Sequence, residues 1–114
     1  MQFAVEYYIR PRGDVPVQEW LSSLPKKDAA AIAARILKLG EEPFTILLGL
    51  STIERIHGND RDFYELKSGP YRVSFHRDPS IGKCVLLWGF RKTRQRETKE
   101  IEHARGLLHE YLNT

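Results

Sequence analysis

Between Phe63 and His76 the chain alternates apolar and polar side chains on both sides of Gly69-Pro70. That period of two dictates a β-hairpin. A two-residue turn sets Lys67 opposite Arg72, Glu65 opposite Ser74 and Leu66 opposite Val73. One face then presents Glu65, Lys67, Arg72, Ser74 and His76, the other Tyr64, Leu66, Val73 and Phe75. A three-residue turn would put Leu66 beside Arg72 and mix the faces. A slip of one residue moves every side chain to the wrong side of the sheet, so burial selects the first register. The apolar face needs a cover. The polar face is expected to stay open.

The flanking segments supply that cover. Phe3–Ile9 is β-branched and aromatic enough for a strand, and Pro11-Arg-Gly-Asp14 breaks it. Pro16 and Pro25 each fit the first turn of a helix, where a missing N–H costs nothing. The expected helices run from Pro16 to about Ser22 and from Lys26 to Leu39, with Gly40 as C-cap. Together they form a helical hairpin for one side of the sheet. Residues 41–62 read as a loop with a short helical or strand segment. A further strand spans Lys83–Phe90, after the turn Asp78-Pro-Ser-Ile-Gly82. From Gln95 to Leu112 a stripe of Ile101, Ala104, Leu108, Tyr111 and Leu112 predicts a final helix, with Glu97, Glu100 and Glu102 toward its positive end. The expected class is α+β: a small, twisted, mostly antiparallel sheet, an N-terminal helical hairpin on one face and a C-terminal helix.

Charge narrows the partners. Residues 1–60 carry seven Lys/Arg against eight Asp/Glu, and residues 61–114 eleven against seven. The excess cations gather in the strands and in Arg91–Lys99, where five basic residues face Glu97 alone. A small domain with such a bias is suited to a polyanion, RNA or DNA. At 114 residues the chain is expected to be one domain. No apolar run approaches the ~20 residues that cross a bilayer, and the N-terminus has no signal-peptide pattern. With Cys84 as its one cysteine, the chain reads as cytoplasmic, with no membrane partner.

The chemistry open to the polar face is phosphate chemistry. His57, His76, His103 and His109 lack ligand spacing with carboxylates or with Cys84, so neither metal nor cofactor is expected. RNA cleavage needs an aligned 2′-OH, a proton acceptor, and cations for the charge that develops on phosphorus. Arg72 and Lys67 are candidates for the cations and Glu65 or His76 for the acceptor. Tyr71 and Trp88 are candidates for base stacking.

Tyr64-Glu-Leu-Lys67, Tyr71-Arg-Val73, Leu86-Leu-Trp-Gly-Phe-Arg-Lys-Thr93 and Glu100-Ile-Glu-His-Ala104 together resemble the HigB-type branch of the RelE/ParE toxin superfamily, which includes phage-derived host-inhibition proteins. Pro16, Trp20-Leu21 and Leu24-Pro25 fit the same pattern, so the resemblance spans nearly the whole chain. It implies a RelE-like fold with helices packed on one side of the sheet. It also implies the toxin half of a toxin–antitoxin pair, held by a helix-turn-helix, HigA-like antitoxin. Many such toxins cut mRNA on the ribosome without a metal. Carried over by position, Arg72, Arg91 and Lys92 would bind and activate the phosphate, with Lys67 and Arg94 as neighbours. Tyr71, Arg94 and Arg96 would contact RNA. The general base is left open, because no residue of the last helix aligns with a C-terminal tyrosine or histidine of the family. The rival implied function is that of the ParE branch, which inhibits DNA gyrase by binding. A third is an inactive phage or plasmid remnant that only binds its antitoxin.

Overall fold

The computed structural model describes residues 3–93 and 97–114. Its elements are β1 (Ala4–Tyr7), α1 (Pro16–Ser22), α2 (Lys26–Glu41), α3 (Phe44–Gly49), β2 (Ile53–Arg55), β3 (Phe63–Ser68), β4 (Tyr71–Asp78), β5 (Lys83–Arg91) and α4 (Glu97–Leu112). The five strands form one sheet in the order β1-β5-β4-β3-β2. Only β1 runs parallel to its neighbour; the other pairings are antiparallel.

The hairpin register is the expected one, with Lys67 opposite Arg72, Glu65 opposite Ser74 and Leu66 opposite Val73. Gly69 takes φ +56°, the left-handed conformation the tight turn requires. Tyr64, Leu66, Val73 and Phe75 pack with Ile32, Ile36 and Leu39 of α2 and Val17 of α1. Tyr64 is partly buried; each of the buried aliphatic and Phe side chains contributes about 1.5–3 kcal/mol. Both N-terminal helices start at their prolines, Pro16 inside α1 and Pro25 at the N-cap of α2.

Three expectations change. Gly40 is not a C-cap: α2 continues to Glu41, and Glu42 turns extended before Pro43. Gly40 instead lets β1 approach, because a Cβ there would lie 2.6 Å from the Phe3 carbonyl oxygen. The illegible stretch holds both a helix, α3, and the edge strand β2. Third, the helices do not share one side. α4 packs on the opposite face through Ala104, Leu107 and Leu108, against Phe63, Val85 and Leu87. The β5 bulge assists this packing. Ser74 pairs with Trp88 while Phe75 pairs with Leu86, so Leu87 is extra. Leu87 and Trp88 then both join the cluster beneath α4.

Candidate functional site

The polar face is therefore not open. Ser74 is fully buried, and Glu65 and His76 retain 5% and 6% of their exposure. The Arg72 side chain retains 11%. What remains accessible is a cleft of about 430 Å³ between the first turns of α4 and the β2–β3 edge. Glu54 and Glu65 form its sheet side, Lys92 its end, and Glu97, Ile101 and Arg105 its helix side.

Sheet register builds this site. Glu54, Glu65, Ser74 and Trp88 form one row across β2, β3, β4 and β5, and Lys67, Arg72 and Phe90 form the next. Glu65 Oε1 lies 3.2 Å from Arg72 Nε. The angle makes no hydrogen bond, so Nε is buried without a partner among the described residues. The guanidinium is anchored on its other side, where Nη1 donates to the carbonyls of Gly69 at 2.7 Å and Tyr71 at 2.9 Å. Lys67 pairs with Glu54, and Lys92 Nζ lies 3.5 Å from Glu97. Each of these three cations thus faces a carboxylate from a different element.

Burial pushes the Glu65 carboxyl above its ordinary range, and the negative charge of Glu97 pushes it further; Arg72 opposes both. Glu54 is held low by its hydrogen bond to Lys67. The cleft thus sets one carboxyl whose proton is held more tightly than usual beside one whose proton is held less tightly.

Other candidates lie elsewhere. His76 sits beneath the C-terminal half of α4, its ring 5.9 Å from that of Tyr111, and does not line the cleft. Tyr71 is buried on the helical-hairpin face: its hydroxyl donates to Asp28 at 2.8 Å and its ring meets Trp20 edge-on at 5.9 Å. It has no ring face free for a base. Arg91 follows the same alternation and stacks over Tyr71 at 5.7 Å, away from Lys92. Trp88 is half-buried across α4 from the cleft, with Nε1 donating to Glu100 at 2.6 Å and its ring against His103. Arg94 and Arg96 lie outside the described residues. The sequence reasoning did not anticipate Glu54, Arg55, His57, Glu97 and Arg105 in the cleft. The only signal for the first three was the short apolar run that becomes β2.

The fold matches solved structures at low sequence identity. The chain aligns with a chain of the archaeal RelE–RelB complex from Pyrococcus horikoshii at TM-score 0.62 and 21% identity, covering 82% of this chain and 99% of that one. It aligns with a chain of the RelBE2 toxin–antitoxin complex of Mycobacterium tuberculosis at TM-score 0.53 and 14% identity, covering 81% and 100%. No family model and no curated protein matches the sequence. The architecture is RelE-like. Among the described residues no helix is long and apolar enough to cross a membrane.

Proposed function

We propose that this chain is the toxin of a type II toxin–antitoxin pair and a metal-independent endonuclease that cuts mRNA on the ribosome. Two lines support the reading. Similar folds were solved as toxin–antitoxin and RelE–RelB complexes. The observation that carries the chemistry is Glu65, a buried carboxylate with a raised pKa, 3.2 Å from Arg72 and lining a cleft beside Lys92. The quoted strand motifs and the basic run favour the HigB-type branch, with a HigA-like antitoxin as partner.

In this mechanism Glu65 takes the proton of the 2′-OH, and the resulting oxygen attacks the adjacent phosphorus. The bond to the 5′-oxygen breaks, and that oxygen takes a proton from water. Arg72 stabilises the charge on the phosphoryl oxygens through Nη2, which makes no hydrogen bond among the described residues. Lys67 and Lys92 exchange Glu54 and Glu97 for phosphate oxygens. These pairs are partly exposed, and pairs of that kind are worth about 1 kcal/mol or less, so the exchange is cheap. Glu65 and Lys92 line the cleft, and Arg72 and Lys67 reach it only through their pairs with Glu65 and Glu54, whereas His76 lies against Tyr111 and Arg91 over Tyr71 on the other sheet face, so these two take no part.

The test is expression of Arg72→Ala with mapping of mRNA ends in a translating extract. Loss of one preorganised donor should slow cleavage about 10²–10³-fold and relieve growth arrest; because the change also strips buried Glu65 of its partner, a thermal melt and antitoxin binding are measured alongside. Full toxicity of the variant would remove Arg72 from the mechanism. Intact mRNA together with gyrase-poisoned DNA would transfer the protein to the ParE-like reading.

A further inference from the structure

We infer that Ser74 is a positioning residue for the reaction: once RNA is bound, its hydroxyl donates to the Glu65 carboxylate and holds it in line for the 2′-OH. The inference rests on the ribonuclease reading and extends it to what orients the base. Its starting point is a set of buried polar atoms. Among the described residues, Arg72 Nε, Ser74 Oγ and His76 Nδ1 are buried with no hydrogen-bond partner. They follow one another at alternate positions of β4, so all three share the face that carries Glu65. Ser74 is fully buried and does not itself line the cleft. A buried hydroxyl without a partner costs stability, and alanine would fill nearly the same space without that cost. Small size alone therefore does not account for a serine here.

Sheet geometry brings the hydroxyl to Glu65. The two residues pair directly across β3 and β4. On the other side of β3, the Phe63 carbonyl accepts from Ile56 N–H at 2.9 Å, and Lys67 N–H donates to the Thr52 carbonyl at 2.8 Å. Glu65 lies midway between them, so its own backbone groups also turn toward β2, and it forms a non-hydrogen-bonded pair with Ser74. Such pairs bring side chains closest, with Cβ atoms about 4.5–5.5 Å apart. His76 is two residues along the strand from Ser74, about 7 Å away. Arg72 Nε is itself a donor. The contact of Arg72 with Glu65 lacks hydrogen-bond geometry, so it attracts the carboxylate without fixing its direction. When a phosphate shares the Arg72 charge, Ser74 supplies the buried donor opposite Glu65 that fixes it.

The experiment compares the full chain with its Ser74→Ala, Glu65→Gln and double variants. Cleavage of mRNA on programmed ribosomes is followed across pH, and each protein is melted. Ser74→Ala should melt no lower than wild type, because it removes an unpartnered hydroxyl. Its kcat should fall about tenfold with KM little changed, the low end for a lost hydrogen bond to a charged group. That bond favours the ionised carboxyl, so its loss should move the acid limb of kcat, which reports the RNA complex, up by about one pH unit. The limb of kcat/KM, which reports the free protein, should stay in place. In the Glu65→Gln background the same change should have no further effect. Wild-type kcat and acid limb in Ser74→Ala, or an equal loss in both backgrounds, overturns the positioning role while leaving Glu65 as the base. A Ser74→Ala chain that melts well below wild type makes the hydroxyl a structural one and overturns it too. A Glu65→Gln chain that cuts like wild type overturns the base itself, and the inference with it.

Discussion

Gly89 is where the fold leaves least room. It lies in β5 opposite Val73, on the face covered by α1 and α2. A Cβ at this position would sit 2.1 Å from Trp20 Cε3, 2.4 Å from Cδ2 and 2.5 Å from Cζ3. Ordinary carbon contacts need about 3.5–4.0 Å, so the indole must retreat by roughly 1.5 Å. Three ring atoms are struck together, and rotation about one side-chain bond cannot clear them all. Trp20 is backed by Tyr71, which is tied through its hydroxyl to Asp28 of α2. The strain therefore passes to the whole helical hairpin. Overpacking of this kind costs about 1–3 kcal/mol, and for a chain of this size each kcal/mol is roughly 4–5 °C, so Gly89→Ala should lower Tm by about 4–15 °C. Thermal melts of Gly89→Ala, Trp20→Ala and the double variant test the cause. In the Trp20→Ala background the added methyl occupies vacated space, and its cost should nearly vanish. Equal cost in both backgrounds, or a single variant that melts with the wild type, would refute the steric argument.

Two pH dependences follow from the charged groups. Glu65 acts as a base only when deprotonated, and burial plus Glu97 raise its pKa above the ordinary 4.5, so cleavage should fall as pH drops through that raised value. Glu65→Gln should lose about 10²–10⁴-fold in rate and abolish this acid limb; an unchanged limb in the variant would assign it to another group. Glu110 accepts from Tyr8 at 2.7 Å and Arg10 at 3.0 Å, and these partners hold its pKa below 4.5. A lowered carboxylate pKa stabilises the fold above the unfolded value, and that contribution fades as pH falls through the folded one. Glu110→Gln should therefore melt earlier than wild type at neutral pH, with the gap closing as pH falls below the ordinary carboxylate range through the lowered value. A gap independent of pH would make the contact one of packing alone.

The hairpin was legible because a period of two fixes both faces once Gly69-Pro70 is taken as the turn. Pro16 and Pro25 marked helix starts for the equally local reason that they lack an N–H. α3 and β2 are too short to display a period: only Leu47 in one and Ile53 in the other are buried. The covering of the polar face was hidden for a different reason. Alternation alone puts Trp88 on the helical-hairpin side, and the bulge at Leu87 reverses it. The apolar stripe of α4 needs an apolar counterpart, and Phe63, Val85 and Leu87 become one only after strands distant in sequence are brought together. Glu65 and Arg72 tolerate the remaining burial because each meets the other's charge. The site residues were therefore legible as types, but not the element that encloses them.

That enclosure bears on the choice between cutting RNA and merely binding a protein. Desolvating a carboxylate is expensive, and an ion pair repays the cost incompletely when, as with Arg72 Nε, it lacks hydrogen-bond geometry. A surface that works by contact gains nothing from such a group, since hydrophobic side chains of similar volume are as stable or better. A proton acceptor gains directly, because the same desolvation moves its pKa toward the working pH while the neighbouring guanidinium waits for the phosphate. Glu65 lines a cleft and is not sealed in the core, so the cost falls where a substrate can use it. This is the reason we propose a reaction for the cleft rather than a contact role. It also makes Glu65→Gln, more than any loss of surface charge, the variant that separates the two.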